Sequence, residues 1–169
     1  MDSPSNVEGF DKFRTLQFFC KGLEATEAVG LPKDEKAHVA SVLTTYTDLE
    51  SLKKGWIIPP LNNLSEFYKC FGFYADLRGD LTTVMNASAQ NLFLVGFFRD
   101  QMKRRYSVAH HDRLGQALYH RASKLSQRDA VRSLFTRMSE NFPLWALACC
   151  QLQRLLLDNL PDPRLIRRE

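Results

Sequence analysis

The sequence predicts an all-α protein, a single bundle-like domain of six or seven helices. Most segments place apolar residues three or four positions apart, the spacing of one helix face, and none shows the strict alternation of a half-buried strand. The 169 residues include only eight Gly and seven Pro, which leaves little room for the many turns of a β-sandwich. A chain of this length can bury a core within one domain, residues 1–169.

Composition and charge indicate an ordinary globular protein and argue against a dedicated nucleic-acid binder. Hydrophobic residues make up 44% of the chain and charged residues 25%, and the net charge is +4. That mild excess suits an anionic surface but is too small to argue for nucleic acid. The first eight residues are acidic and polar, so they resemble neither a secretory signal nor an Arg-rich mitochondrial presequence.

The pattern Ser5-x-x-Glu8 is a capping box and predicts that the first helix begins there. We expect this helix to stop near Gly30, because Pro32 cannot continue it. Its predicted buried stripe consists of Val7, Phe10, Phe13, Leu16, Cys20 and Leu23, widened by Phe18 and Phe19.

Two further helices are predicted before residue 80. The second begins at Pro32 to Glu35, where acidic groups favour a helix N-terminus, and Ile57 to Pro60 ends it. Its predicted buried face consists of Val39, Leu43, Tyr46, Leu49, Leu52 and Trp56. Asn63 and Glu66 can cap a third helix. The inward-facing residues of that helix are Leu64, Phe67, Tyr68, Phe71 and Tyr74.

The uncharged run from Leu81 to Phe98 predicts a fourth helix that continues to about Arg105. As a helix the run is about 27 Å long, close to the hydrocarbon thickness of a bilayer. A polar line of Thr83, Asn86 and Gln90 nevertheless argues against lipid on all sides. We therefore predict no transmembrane span and a central packing helix whose apolar end is buried by protein. Its apolar line consists of Leu81, Val84, Met85, Ala89, Leu92 and Val95.

The C-terminal third is predicted to hold a connector over residues 107–112, helices over residues 113–160 and a basic tail over residues 161–169. The fifth helix is expected near Arg113–Leu125. Pro143 is expected to start a separate last helix. A sixth helix before it is capped by Ser126 and Asp129 and carries Val131, Leu134, Phe135 and Met138 inside.

Catalytic, cofactor and metal sites are not predicted. His110 and His111 form the only histidine cluster but lack further ligands at metal spacing, so we expect a solvated connector. Cys149 and Cys150 should be buried structural thiols, although Arg154 could lower the pKa of Cys150. The four cysteines, which also include Cys20 and Cys70, have neither metal spacing nor disulfide density and favour a reduced intracellular compartment. The sequence lacks a phosphate loop, a nucleophile elbow and paired carboxylates, which argues against an enzyme.

Two basic clusters are candidate contacts with a partner or with lipid. The first consists of Phe97, Phe98, Arg99, Lys103, Arg104 and Arg105, at the end of the fourth helix. Its charges either pair with the helix C-terminus or contact anionic lipid head groups. The second lies in the basic tail and consists of Arg164, Arg167 and Arg168, which could reach lipid, RNA or an acidic subunit. Nucleic-acid binding would need interleaved exposed aromatic residues and a larger basic excess.

Residues 11–18, Asp-Lys-Phe-Arg-Thr-Leu-Gln-Phe, resemble the Asp-Lys…Arg…Gln-Tyr opening of the peroxin-11 family. Residues 49–54 stand where that family has a Ser-rich segment ending in Arg-Lys. Residues 60–64 and 91–101 are similar in order and spacing to its next helices. The resemblance covers about residues 10–105, which we call the peroxin-11-like core.

The resemblance implies a membrane-associated helical protein without catalytic residues, since members of the family elongate and remodel peroxisomal membranes and self-associate. The C-terminal third departs from the family, which has longer membrane-embedded segments there. The longest uncharged run in that third, Asn141 to Gln153, has only thirteen residues and is too short to span a bilayer.

We therefore predict a non-catalytic structural or accessory subunit of a membrane-associated complex, at the periphery of a mitochondrial or peroxisomal membrane. Its expected partners are protein subunits, with anionic lipid as a further contact. The first alternative is a peroxisomal (glycosomal) membrane-remodelling or proliferation factor. The lower alternative is a small helical RNA-associated protein.

Overall fold

The computed structural model describes residues 11–47, 80–104 and 107–158. Within these ranges the chain forms six α-helices and no strand, which confirms the predicted all-α fold. The helices are α1 Lys12–Glu24, α2 Lys33–Thr47, α3 Leu81–Phe97, α4 Arg99–Met102, α5 Val108–Leu125 and α6 Asp129–Asp158. The predicted third helix and the basic tail lie outside the described residues.

The start of α1 is fixed by a side-chain cap. Asp11 accepts hydrogen bonds from the backbone N–H groups of Phe13 at 3.0 Å and Arg14 at 3.2 Å. These bonds satisfy donors that the first helical turn leaves free. The predicted capping residues, Ser5 and Glu8, lie outside the described residues.

The end of α1 differs from the prediction. The helix ends at Glu24 rather than near Gly30, because Thr26 begins a separate 3₁₀ turn, Glu27–Gly30. The Thr26 hydroxyl accepts a hydrogen bond from the backbone N–H of Ala28 at 3.2 Å. A threonine hydroxyl can bond nearby backbone groups in place of the helical hydrogen bonds. The spacing of the apolar residues alone therefore could not place the end of α1.

The second helix begins where the sequence predicts, directly after Pro32. Val39 and Leu43 are buried as expected, and Tyr46 is half-buried. The other residues of the predicted face lie outside the described residues.

Helix α3 begins at Leu81, capped by the Asp80 carboxylate, which accepts from the Thr83 N–H at 2.8 Å. It ends at Phe97 and does not continue to Arg105, because Phe98 leaves helical geometry before the short α4. The predicted burial of its apolar end by protein is confirmed: Leu92 and Val95 are fully buried. Its polar side is also covered by protein, since α2, α5 and α6 all contact α3, and the buried polar residues are Ser88, Gln90 and Asn91.

Two predictions about the C-terminal third are wrong. Residues 107–112 are not a connector, because the Ser107 hydroxyl caps α5, which begins at Val108. Pro143 does not start a new helix but lies inside α6, which is continuous over thirty residues. A proline removes one backbone hydrogen bond, and the full burial of Phe142 and Trp145 beside it compensates for that loss.

The core is built by α3, α5 and α6, onto which α1 and α2 pack as a helical hairpin. Only three residues join α5 to α6, so these two helices are neighbours in space as well as in sequence. Glycines allow close approach: a Cβ on Gly115 would collide with the Phe142 ring, and one on Gly96 would collide with Cys149. In the described part of the chain, no helix combines the length and the apolar character needed to cross a membrane.

Candidate functional site

One cation of the predicted basic cluster, Arg99, is neutralised within the protein. Arg99 forms a bidentate pair with Asp112 of α5, with both N–O distances at 2.9 Å. The two side chains are only 13% and 14% exposed. This pair joins α4 to the N-terminal part of α5, so Arg99 is held inside the protein rather than directed to a surface partner.

A second ion pair joins α4 to α6. Arg154 donates to both carboxylate oxygens of Asp100, at 2.7 and 2.8 Å, and Lys103 lies 3.4 Å from the same carboxylate. The Arg154 guanidinium lowers the pKa of Asp100 to about 2. Burial and Asp100 raise the pKa of Cys150; Arg154 acts in the lowering direction, as the sequence suggested, but it does not outweigh them.

Two described cations of the predicted cluster, Lys103 and Arg104, are exposed. The remaining predicted cations, Arg105, Arg164, Arg167 and Arg168, lie outside the described residues. Phe97 and Phe98 are half-buried and pack on Phe93, with ring centroids 5.2 and 5.9 Å apart. The contact of this cluster with a partner or lipid stays a prediction that now rests on Lys103 and Arg104.

Of the histidine pair and the cysteine pair that the sequence singled out, three side chains are buried in the core. His111 is not solvated as expected but only 2% exposed, because α5 begins early enough to turn its side chain inward, whereas His110 is exposed. Cys149 and Cys150 are buried free thiols, as predicted, and burial raises the pKa of Cys149 to about 12. Over residues 11–47, 80–104 and 107–158, no three His, Cys, Asp or Glu side chains gather as metal ligands would.

A buried carboxylate that the sequence did not predict joins α2 to α6. Glu35 is fully buried, and its Oε2 accepts hydrogen bonds from Trp145 Nε1 at 2.7 Å and Asn141 Nδ2 at 3.0 Å. The Arg137 Nε lies 3.5 Å from the other oxygen, and Arg137 also pairs with Asp34. A charged carboxylate is stable in the core only with such partners, so these contacts hold α2 against α6.

One turn further along α2, His38 makes a second polar contact with the core. Its Nε2 lies 3.0 Å from the hydroxyl of Tyr119 in α5, and its ring packs edge-on against Tyr119 and Phe135. Burial lowers the pKa of His38 to about 4 and raises the pKa of Tyr119. Both groups are therefore neutral at pH 7, and their role is structural.

The strongest candidate for contact with another molecule lies on α1. Phe13 and Phe18 were predicted to be buried, but their side chains are 66% and 52% exposed. We call the surface formed by Phe13, Arg14, Gln17, Phe18 and Lys21 the outer face of α1; all five are exposed. The opposite face buries Phe19 and Leu23 against the core. Because apolar residues occur on both sides of this helix, sequence periodicity could not show which side meets the core.

Comparisons with known proteins do not add a relative: the sequence matches no family model, no curated protein and no solved structure. The relation to the peroxin-11 family therefore stays a prediction carried by the residues quoted for it.

Proposed function

We propose that the chain is a non-catalytic structural or accessory subunit of a membrane-associated protein complex, built on the peroxin-11-like core. The observation that carries this proposal is the outer face of α1, where two phenylalanines stand more than half exposed on one helix. Single exposed apolar residues are common on protein surfaces, but two large rings on thirteen residues of helix favour an interface.

Two ion pairs, Arg99 with Asp112 and Asp100 with Arg154, support the same proposal. These charges hold α4 against α5 and α6 and so stiffen the domain that presents the outer face. A preformed surface loses less conformational entropy on binding, which suits a subunit that serves as a fixed part of an assembly.

Native purification of the full chain from its own organism tests the proposal. We expect the chain to migrate with other subunits in constant proportion and to be released from membranes by alkaline carbonate. Migration as a lone 19.5 kDa chain under gentle extraction would contradict the proposal.

A peroxisomal (glycosomal) membrane-remodelling factor is the second candidate, favoured by the exposed Lys103 and Arg104 directly after α4. Purified protein that tubulates vesicles containing anionic lipid would support this candidate, and the Lys103→Glu, Arg104→Glu double variant should then lose the activity. Protein that ignores such vesicles would eliminate it while leaving the first proposal in place.

A further inference from the structure

The outer face of α1 has an unusual order of apolar and charged groups. Successive residues of an α-helix turn by about 100°, so Phe13 and Phe18 project about 140° apart. Arg14 and Lys21 point between them, along nearly one line. The face is therefore a basic ridge with an exposed aromatic ring on either side.

This order does not suit insertion into a bilayer. An interfacial helix buries one continuous apolar stripe and keeps its cations beside or above that stripe. Here, burying both Phe13 and Phe18 would carry Arg14 and Lys21 into the apolar layer between them. Arg14 pairs with Asp11 at 3.3 Å, but both side chains are more than half exposed and such a surface pair contributes little, so desolvating these charges would still oppose the gain from the two rings.

A second copy of the chain fits no better. In an antiparallel two-fold pairing that stacks Phe13 on Phe18 of the other copy, the two Arg14 residues would lie within about 5 Å of each other along the helix axes. The nearby carboxylates are already engaged, since Asp11 caps α1 and lies 3.3 Å from Arg14 of its own chain, and Glu24 binds Lys36 at 2.7 Å. Such a homodimer would place the two Arg14 side chains together, with only their exposed surface pairs to Asp11 to oppose the charges.

We propose that the outer face of α1 binds an acidic amphipathic helix of a different protein subunit. Two apolar side chains of that helix would cover Phe13 and Phe18, and its carboxylates would lie over Arg14 and Lys21. Aromatic residues at the sides and charge pairs at the centre would give both affinity and a fixed register. This inference rests on the proposed function, since it names the class of partner that the accessory subunit would bind.

Site-specific photocrosslinking in the native organism tests the inference. A photoreactive benzoyl-phenylalanine replaces Phe13 or Phe18 in the full chain, and the crosslinked peptides are identified by mass spectrometry. We expect both positions to crosslink to one segment of another protein, with Asp or Glu residues spaced between apolar residues. A synthetic peptide of that segment should bind the purified chain at least tenfold more tightly than its Asn and Gln counterpart.

Charge variants test whether Arg14 and Lys21 contribute to binding of the partner helix. The Arg14→Glu, Lys21→Glu double variant should reduce the crosslink at least tenfold, while the matched control Lys103→Glu, Arg104→Glu should leave it unchanged. Crosslinks to lipid, to a second copy or to a segment without acidic residues would overturn the inference, as would an unchanged yield in the Arg14 and Lys21 variant. Loss of all crosslinks from a chain that still migrates within a larger assembly would refute this inference alone. A chain that migrates by itself would refute the proposed function as well.

Discussion

The three long helices and the N-terminal hairpin are held together by different kinds of contact. Within the set of α3, α5 and α6, the closest approaches are apolar, as where Gly115 faces the Phe142 ring. The hairpin of α1 and α2 also packs apolar residues on these helices, but it adds the buried Glu35 and the partly buried His38. Apolar packing is insensitive to pH, whereas contacts of ionisable groups depend on protonation. The attachment of the hairpin is therefore one part of the fold that a change of pH can weaken, as are the ion pairs that hold α4.

The largest expected effect is in the apolar core. Replacing Phe142, which is fully buried between α5 and α6, by Ala should lower the free energy of unfolding by about 3–5 kcal/mol, because a cavity replaces a packed ring. Urea denaturation followed by circular dichroism measures this change. The same substitution at exposed Phe18 is the matched control and should change stability by less than about 0.5 kcal/mol. Equal effects at both positions would contradict the described core.

Removing the Glu35 carboxylate should lower the free energy of unfolding by a smaller amount, and the loss should be confined to the hairpin. The Glu35→Ala variant leaves Trp145 Nε1 and Asn141 Nδ2 without their acceptor, for a loss of about 3 kcal/mol. Hydrogen exchange should show faster opening of α1 and α2 and little change in α5 and α6. The exposed Glu140 provides the control, since Glu140→Ala should leave exchange unchanged. Uniform loss of protection over all helices would show that the two regions do not differ as described.

The smallest effect is expected from pH. Because the pKa of His38 falls from 6.5 to about 4 on folding, the unfolded chain binds more protons between these values. Neutral His38 makes its full contribution to stability above pH 6.5, and this contribution is lost as the pH falls towards 4. From pH 7 to pH 5 this group should lower the free energy of unfolding by about 1–2 kcal/mol. Urea denaturation at pH 5 and pH 7 measures this change, and the His38→Gln variant should flatten that part of the curve.

The fold class and several helix boundaries could be predicted from local residues, but the site could not. Pro32 predicts the start of α2 correctly because a proline acts on its own turn. Pro143 misled the same reasoning, because packing against neighbouring helices decides whether a helix continues through a proline.

Two other misjudged residues depend on contacts distant in the sequence. Arg99 seemed available for a surface contact until Asp112 was placed opposite it. Phe13 seemed buried because the sequence has no signal for which of two apolar sides faces the core. Side-chain partners and the direction of a helix face are tertiary properties, so the candidate interface became visible only in the folded chain.

The continuity of α6 also has a mechanical consequence. At about 1.5 Å per residue, its thirty residues form a rod about 45 Å long. Trp145 binds Glu35 of α2, and Arg154 binds Asp100 of α4, about 14 Å further along the same rod. A helix hardly stretches along its axis, so α6 sets the distance between the point where α2 is attached and the point where α4 is attached.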